Sequence, residues 1–311
     1  MQTVIVDRKG STLTLQNRGI KIVCPSQSRP QHIPLTMAQR LVIMAAVDLH
    51  SSLLTALAEA GVSVLILSPR DHRRTAIITP PYGRDHALRM AQYRAVSDPQ
   101  LCMRVATVLV RMKLLAQWRT LRTLSQRQPR MREALRRLPE MARALTDHPP
   151  ATLESIRGTE GGGAALYFAA LQEALPASLG FHGRKRRPPT DPANALFSLG
   201  YTLLHFDAVR ALLNAGLDPC LGFLHCAEYS RESLACDVIE PLRPAVDRFV
   251  MRLFREQVMR PDHFVMQQGA CRMGKSGRQT FYLHWEQFAP QLRGSLRRGI
   301  PVLRREGIGY R

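Results

Sequence analysis

Apolar residues are packed into short β-rich runs over the first eighty residues and recur at helical spacing after that. Residues 3–6, 12–15 and 20–23 are rich in Val, Ile, Leu and Thr, and Asp7, Gly10, Asn17 and Gly19 between them carry turn chemistry. Two further apolar runs follow near 33–35 and 40–44. Residues 51–61 open on Ser, hold Leu53, Leu54 and Leu57 at helical spacing and end on Gly61, which predicts one short helix. Residues 62–67 read as a buried strand. Pro80, Pro81 and Gly83 then break both periodicities. The pattern predicts an α+β chain: a small N-terminal β-sandwich-like domain over 1–80, a linker at 81–86, and a larger all-helical domain over 87–311.

Within that second domain, helices are expected at 86–95, 101–126 and 131–145. In the second of these Met103, Ala106, Val110, Leu114 and Trp118 fall on one face. Asp191 and Pro192 form a cap and first turn for a helix through Leu196, Leu199 and Leu203, which continues or restarts near Asp207. From Ser233 a helix places Leu234, Val238 and Leu242 on one face and Asp237 and Glu240, three apart, on another. Pro241 and Pro244 interrupt it. Glu160 stands among Gly158, Gly161, Gly162 and Gly163, and the helical pattern resumes at Ala164. This places the carboxylate at or just before a helix N-terminus, where an acid complements the helix dipole.

Composition narrows the partner. The formal net charge of the 311 residues is +20, and of 44 basic residues only five are Lys. Arg forks match phosphate oxygens, so nucleic acid is the leading partner and an anionic membrane surface the second. Residues 104–143 hold eleven Lys/Arg against Glu133 and Glu140, and 243–311 hold fourteen against five acids. There is no secretory leader pattern and no run of about 18 apolar residues, so a cytoplasmic protein outside the membrane is expected. The six Cys include no C-x-x-C pair and read as reduced thiols. Cys220, Cys226 and Cys236 do not have structural zinc spacing.

Gly269, Gly274, Lys275 and Ser276 match the spacing of a phosphate-binding loop. Residues 264–266 make a poor strand and 277–279 open no clear apolar helix, so a plain basic loop is expected there.

Three separated pieces offer hard ligands: Glu160, His225, and Asp237 with Glu240. One imidazole with two or three carboxylates suits Mg²⁺ or Mn²⁺ with positions left for water and phosphate. The same residues also allow a core histidine, a pair of surface acids and a helix-start acid.

Four ordered motifs resemble a known family. They are Gly158-Thr-Glu-Gly with Tyr167 and Phe168; Arg187-Pro-Pro with Asp191-Pro, Asn194, Gly200 and Tyr201; Gly216-Leu-Asp-Pro with Gly222-Phe-Leu-His225; and Arg231 with Ser233-Leu, Asp237, Glu240-Pro, Arg243-Pro and Asp247. Together they resemble the CRISPR-associated endonuclease one family, the integrase of CRISPR adaptation. The resemblance runs from about residue 1 to 290 and is weakest over the N-terminal strands.

The resemblance implies a divalent metal, Mg²⁺ or Mn²⁺, held by Glu160, His225 and Glu240 with Asp237 adjacent, and it leaves the choice between Asp237 and Glu240 open. It implies a homodimer formed largely through the β-domains, double-stranded DNA as substrate (spacer precursor and repeat array), and the small CRISPR-associated protein two as partner. Expected phosphate contacts are Arg184, Lys185, Arg186, Arg187, Arg231, Arg243, Arg272 and Lys275. A stand-alone metal-dependent nuclease and a non-catalytic nucleic-acid scaffold are the alternatives.

Overall fold

The computed structural model describes residues 2–25, 27, 29–67, 75–78, 85–124, 128–185, 188–225 and 231–310. The chain forms two compact units, Met1–Gly83 and Arg84–Arg311. The boundary prolines and glycine, Arg186, Arg187 and Cys226 lie outside the described residues.

In the first unit β1 (Gln2–Val6), β5 (Ala38–Ile43), β7 (Ser63–Leu67) and β8 (Thr75–Ile78) form one sheet in the order β1-β5-β7-β8. The first three strands are parallel and β8 is antiparallel. A second sheet has the order β4-β3-β2-β6, from β2 (Thr12–Gln16), β3 (Gly19–Val23), β4 (Gln31–Pro34) and the short β6 (Asp48–Leu49). Leu13, Ile20 and Ile22 from this sheet meet Val4, Val6, Leu41, Ile43 and Val64 from the other in one core. Leu53 and Leu57 of α1 (Ser51–Glu59) complete it. Leu41, Val42 and Ile43 are buried in succession, as a central parallel strand covered on both faces requires.

The β2–β3 hairpin turns on Asn17 and Arg18, at φ 47° and 54°. Two positive φ values in a two-residue loop match the right-handed twist of the strands. Gly19 follows because a Cβ there would stand 2.5 Å from the His32 ring.

The second unit is helical: α2 (His86–Val96), α3 (Pro99–Leu121), α4 (Pro129–Asp147), α5 (Leu153–Ala174), α6 (Pro192–Asn214), α7 (Ser233–Ile239), α8 (Arg243–Arg255) and α9 (Lys275–Val302). Asp85, Asp98 and Asp191 each cap the helix that follows by accepting backbone N–H groups. Ala106, Val110 and Leu114 of the expected α3 stripe are fully buried. α6 runs unbroken through Asp207. It is long and apolar enough to cross a membrane by composition, but Leu196, Phe197, Leu203, Leu204 and Leu212 are buried in the helical core. Phe249 stacks on Phe288 at 4.5 Å, joining α8 to α9 with Phe281 and Trp285.

The tail differs from its sequence reading. Phe264–Gln267 and Ala270–Met273 form an antiparallel hairpin, β9 and β10, so the helical unit carries one small sheet. α9 starts directly after it. The four residues between Gly269 and Gly274 are therefore an extended, paired strand and cannot wrap a phosphate. The apolar signal of α9 begins at Phe281, one turn and a half after its first residue, which is why residues 277–279 looked unlike a helix start.

Candidate active site

Glu160 lies in the third turn of α5, not at its start. Thr152 caps this helix, its hydroxyl accepting the Ser155 N–H at 3.2 Å. Ile156, Gly163, Tyr167 and Leu171 anchor one face. Each glycine inside a helix costs about 1 kcal/mol relative to Ala, and this buried face outweighs that cost. At Gly163 the reason for glycine is visible: a Cβ would sit 2.2 Å from Leu114 Cδ2 of α3. The close approach of α5 to α3 brings Glu160 against Lys113.

Lys113 joins two distant carboxylates. Its buried ammonium donates to Glu160 Oε1 and to Glu240 Oε2. Pro241 and Pro244 break the helical ladder, so α7 tightens into a 3-10 turn at Glu240–Leu242 before α8 begins. That turn holds Glu240 in the interior, where Arg243 pairs with its other oxygen, Oε1, at 3.2 Å. Burial raises the carboxyl pKa, but Arg243, then Lys113 and the nearby His225, outweigh it and hold Glu240 at about 2.

Asp237 is also buried, and it has a different task. Oδ2 accepts the N–H groups of Phe223 and Leu224 at 2.6 and 2.9 Å. Oδ1 accepts the N–H of His225 at 3.1 Å and its Nδ1 at 2.6 Å. Four donors saturate a carboxylate. With Nδ1 carrying the proton toward Asp237, Nε2 is the nitrogen that keeps a lone pair for a ligand. The loop before His225 is held from two other sides. Gln92, fully buried, donates from Nε2 to Asp218 O at 2.9 Å and accepts the Asp218 N–H at 2.8 Å. Arg157 Nε donates to Leu224 O at 2.9 Å.

Seven residues after Glu240, Asp247 is buried with neutral hydrogen-bond donors, while the guanidinium groups of Arg184 and Arg243 lie near enough to pull its pKa down. It accepts the hydroxyl of Tyr167 at 3.0 Å and that of Tyr201. Burial raises its pKa to about 6, against the pull of these two hydroxyls. Tyr201 in turn lies between the guanidinium groups of Arg184 and Arg243, 5.3 and 5.1 Å from its ring centre.

The expected phosphate contacts divide into two groups. Arg184 donates to Asn194 Oδ1 at 2.8 Å and Ser198 Oγ at 3.0 Å, and Arg243 binds Glu240, so both are engaged inward. Lys185 and Lys275 are exposed, and Arg231 and Arg272 are half-buried. Arg104, Arg111, Arg119, Arg122, Arg132 and Arg143 stand exposed on α3 and α4.

Sequence reasoning missed Lys113. Lys113 carried a signal: it falls seven residues after Ala106 and three after Val110, on the buried stripe of α3, where a lysine needs a partner.

Among the described residues no three His, Cys, Asp or Glu side chains are drawn together closely enough to enclose a cation. Two carboxylates nevertheless converge on one point, now held by an ammonium, and the imidazole of His225 is close enough to Glu240 to lower its pKa. Two carboxylate donors and one oriented imidazole form a donor set that fits Mg²⁺ or Mn²⁺.

Comparison with known proteins places the chain in a family. The family model for CRISPR associated protein Cas1 matches residues 4–287. The chain belongs to the Cas1 family. It is 34% identical over 298 residues to the CRISPR-associated endonuclease Cas1 1 of Thermodesulfovibrio yellowstonii, spanning 94% of this chain and 93% of the relative. Its fold is that of a Cas1 protein from Thermotoga maritima, with a TM-score of 0.87 at 20% identity over 100% of this chain and 98% of the other. A casposase solved bound to its integration product shares the fold at a TM-score of 0.86 and 21% identity, over 99% and 91% of the two chains.

Proposed function

We propose that this Cas1-family chain is a metal-dependent DNA endonuclease and integrase that inserts short duplexes into a CRISPR repeat array in the cytoplasm. The observation that carries the reading is the meeting of Glu160 and Glu240, 80 residues apart, at one buried point beside an imidazole whose Nδ1 is locked. Glu160, His225 and Glu240 would hold Mg²⁺ or Mn²⁺, which supplies polarisation of a phosphoryl oxygen and charge stabilisation on the departing one.

The protein's own groups do the remaining work. Asp237 fixes the tautomer and direction of the His225 ring. Arg243 keeps Glu240 ionised inside the fold. Exposed Arg residues of α3 and α4, with Lys185 and Lys275, hold phosphates without reading bases, which positions a 3′-hydroxyl against the scissile phosphodiester. Attack forms a new P–O bond and breaks the old one, releasing a 3′-hydroxyl; with water as nucleophile the same site hydrolyses. Arg184 and Arg243 serve as internal braces. The family resemblance adds a homodimer and the small CRISPR-associated protein two as partners.

The test uses a labelled duplex, a repeat-containing plasmid and Mn²⁺. Joined product is expected from the wild type and none from Glu160→Gln, His225→Ala or Glu240→Gln, with duplex binding retained. Joining by all three variants overturns the reading. Cleavage without joining points to a stand-alone nuclease, and binding without either to a scaffold.

A further inference from the structure

Lys113 is an odd residue to find at this point. A divalent ion held by Glu160 and Glu240 needs the oxygens that the ammonium now bonds. A third positive charge in the same small, buried space would repel an arriving cation. The lysine is also buried on α3 with no other acceptor given to it. One turn further along the same helix face, Gln117 is 2% exposed, and among the described residues its Oε1 has no hydrogen-bond donor. Residues four apart on a helix are neighbours, and a buried carbonyl without a donor is costly. A lysine side chain is long and flexible enough to serve either place.

We infer that Lys113 is the site's resident counter-ion: its ammonium holds Glu160 and Glu240 together while no metal is bound, and metal entry displaces it toward the empty acceptor of Gln117. The lysine is then a positioning residue and a competitor for the metal. Without the ammonium, the partly exposed Glu160 and the buried Glu240, the latter still paired with Arg243, would repel each other and loosen α5 from the 240–242 turn. With Lys113 in place the two elements stay assembled, and the ion meets ligands already gathered. The cost is weaker metal binding than the same carboxylates would give alone. The inference rests on the metal reading of Glu160 and Glu240.

The experiment measures Mn²⁺ affinity by titration calorimetry, with EPR of free Mn²⁺ as a check, on the full chain and five variants. Thermal melting in EDTA is recorded for each. Lys113→Met is expected to bind Mn²⁺ about tenfold or more tightly than wild type, and to melt earlier in EDTA but not at saturating Mn²⁺. Lys113→Arg keeps the charge and is expected to show no gain in affinity. Gln117→Leu removes the second resting place and is expected to weaken Mn²⁺ binding several-fold. Unchanged or weaker binding in Lys113→Met, with an unchanged melt in EDTA, overturns the inference. Should Lys113→Met fail to fold, a matching gain in Lys113→Gln supports the inference and its absence overturns it. Glu160→Gln separates the two levels: if it leaves wild-type Mn²⁺ affinity intact, the metal reading itself fails, whereas lost affinity there with no gain at Lys113 rejects only the counter-ion.

Discussion

Glu240 and Asp247 are seven residues apart, both buried, and chemically opposite. Glu240 faces Lys113 and Arg243 and is held ionised, with its pKa lowered to about 2. Asp247 faces the hydroxyls of Tyr167 and Tyr201, and burial lifts its pKa to about 6. Arg243 lies between them, bonded to the first and stacked on the tyrosine that serves the second. Burial alone therefore does not make a carboxylate into a ligand. What differs is direct contact with cations: only the carboxylate with matched positive partners is kept charged and exchangeable. Asp247 is fastened by two neutral hydrogen bonds and works as a core strut.

The sharpest way to break this contrast is to remove each carboxylate in turn. Glu240→Gln is expected to lower strand transfer by more than about a hundredfold, beyond the 10–100-fold typical of groups that only orient ligands. It should also destabilise the metal-free protein by about 3–5 kcal/mol, because Lys113 and Arg243 lose a buried partner. Asp247→Asn should retain most strand transfer. Equal losses in the two variants would erase the distinction.

The pH dependence comes next in size. The folded state binds the Asp247 proton more tightly than the unfolded state, so stability from this group is present below pH 4 and lost as pH rises through 6. The loss is about 3 kcal/mol at 1.36 kcal/mol for each pH unit. Glu240 has the opposite sign: its contribution is present above pH 4.5 and lost as pH falls toward 2. Urea midpoints of wild type and Asp247→Asn at pH 4, 5 and 6 should diverge as pH rises, with the variant holding steady. Parallel curves would remove Asp247 from the neutral side of the comparison.

Two smaller changes refine it. Asp237→Asn should weaken Mn²⁺ binding about 10–100-fold by loosening His225 while leaving both glutamates in place. Tyr201→Phe removes one hydrogen bond from Asp247 and should cost about 1 kcal/mol in chemical denaturation, with strand transfer kept.

Much of this was legible in the chain. The β-runs of the first unit, the Asn17–Gly19 turn and the capped start of α6 all follow from local chemistry that tertiary contacts reinforced. The glycines around Glu160 misled, because propensity argued for a helix start while Thr152 and the buried face of α5 argued for a helix already under way. In the tail, the β9–β10 hairpin is held by pairing across a turn, which a four-residue pattern does not reveal. Spacing also placed Asp237 and Glu240 together as a pair, but their division into a carboxylate that fixes His225 and one that meets Lys113 and Arg243 depends on what lies across from each. Lys113 is 127 residues from Glu240, and no local pattern spans that distance.

That separation has a consequence for the chain as it is made. The parts of the site come from residues 113, 160, 225, 237 and 240, so synthesis must pass α7 before they can meet. Until Asp237 is present, His225 sits on a segment with nothing to set its direction. A nascent or broken chain that ends between residues 148 and 240 carries the basic residues of α3 and α4 but lacks a complete centre.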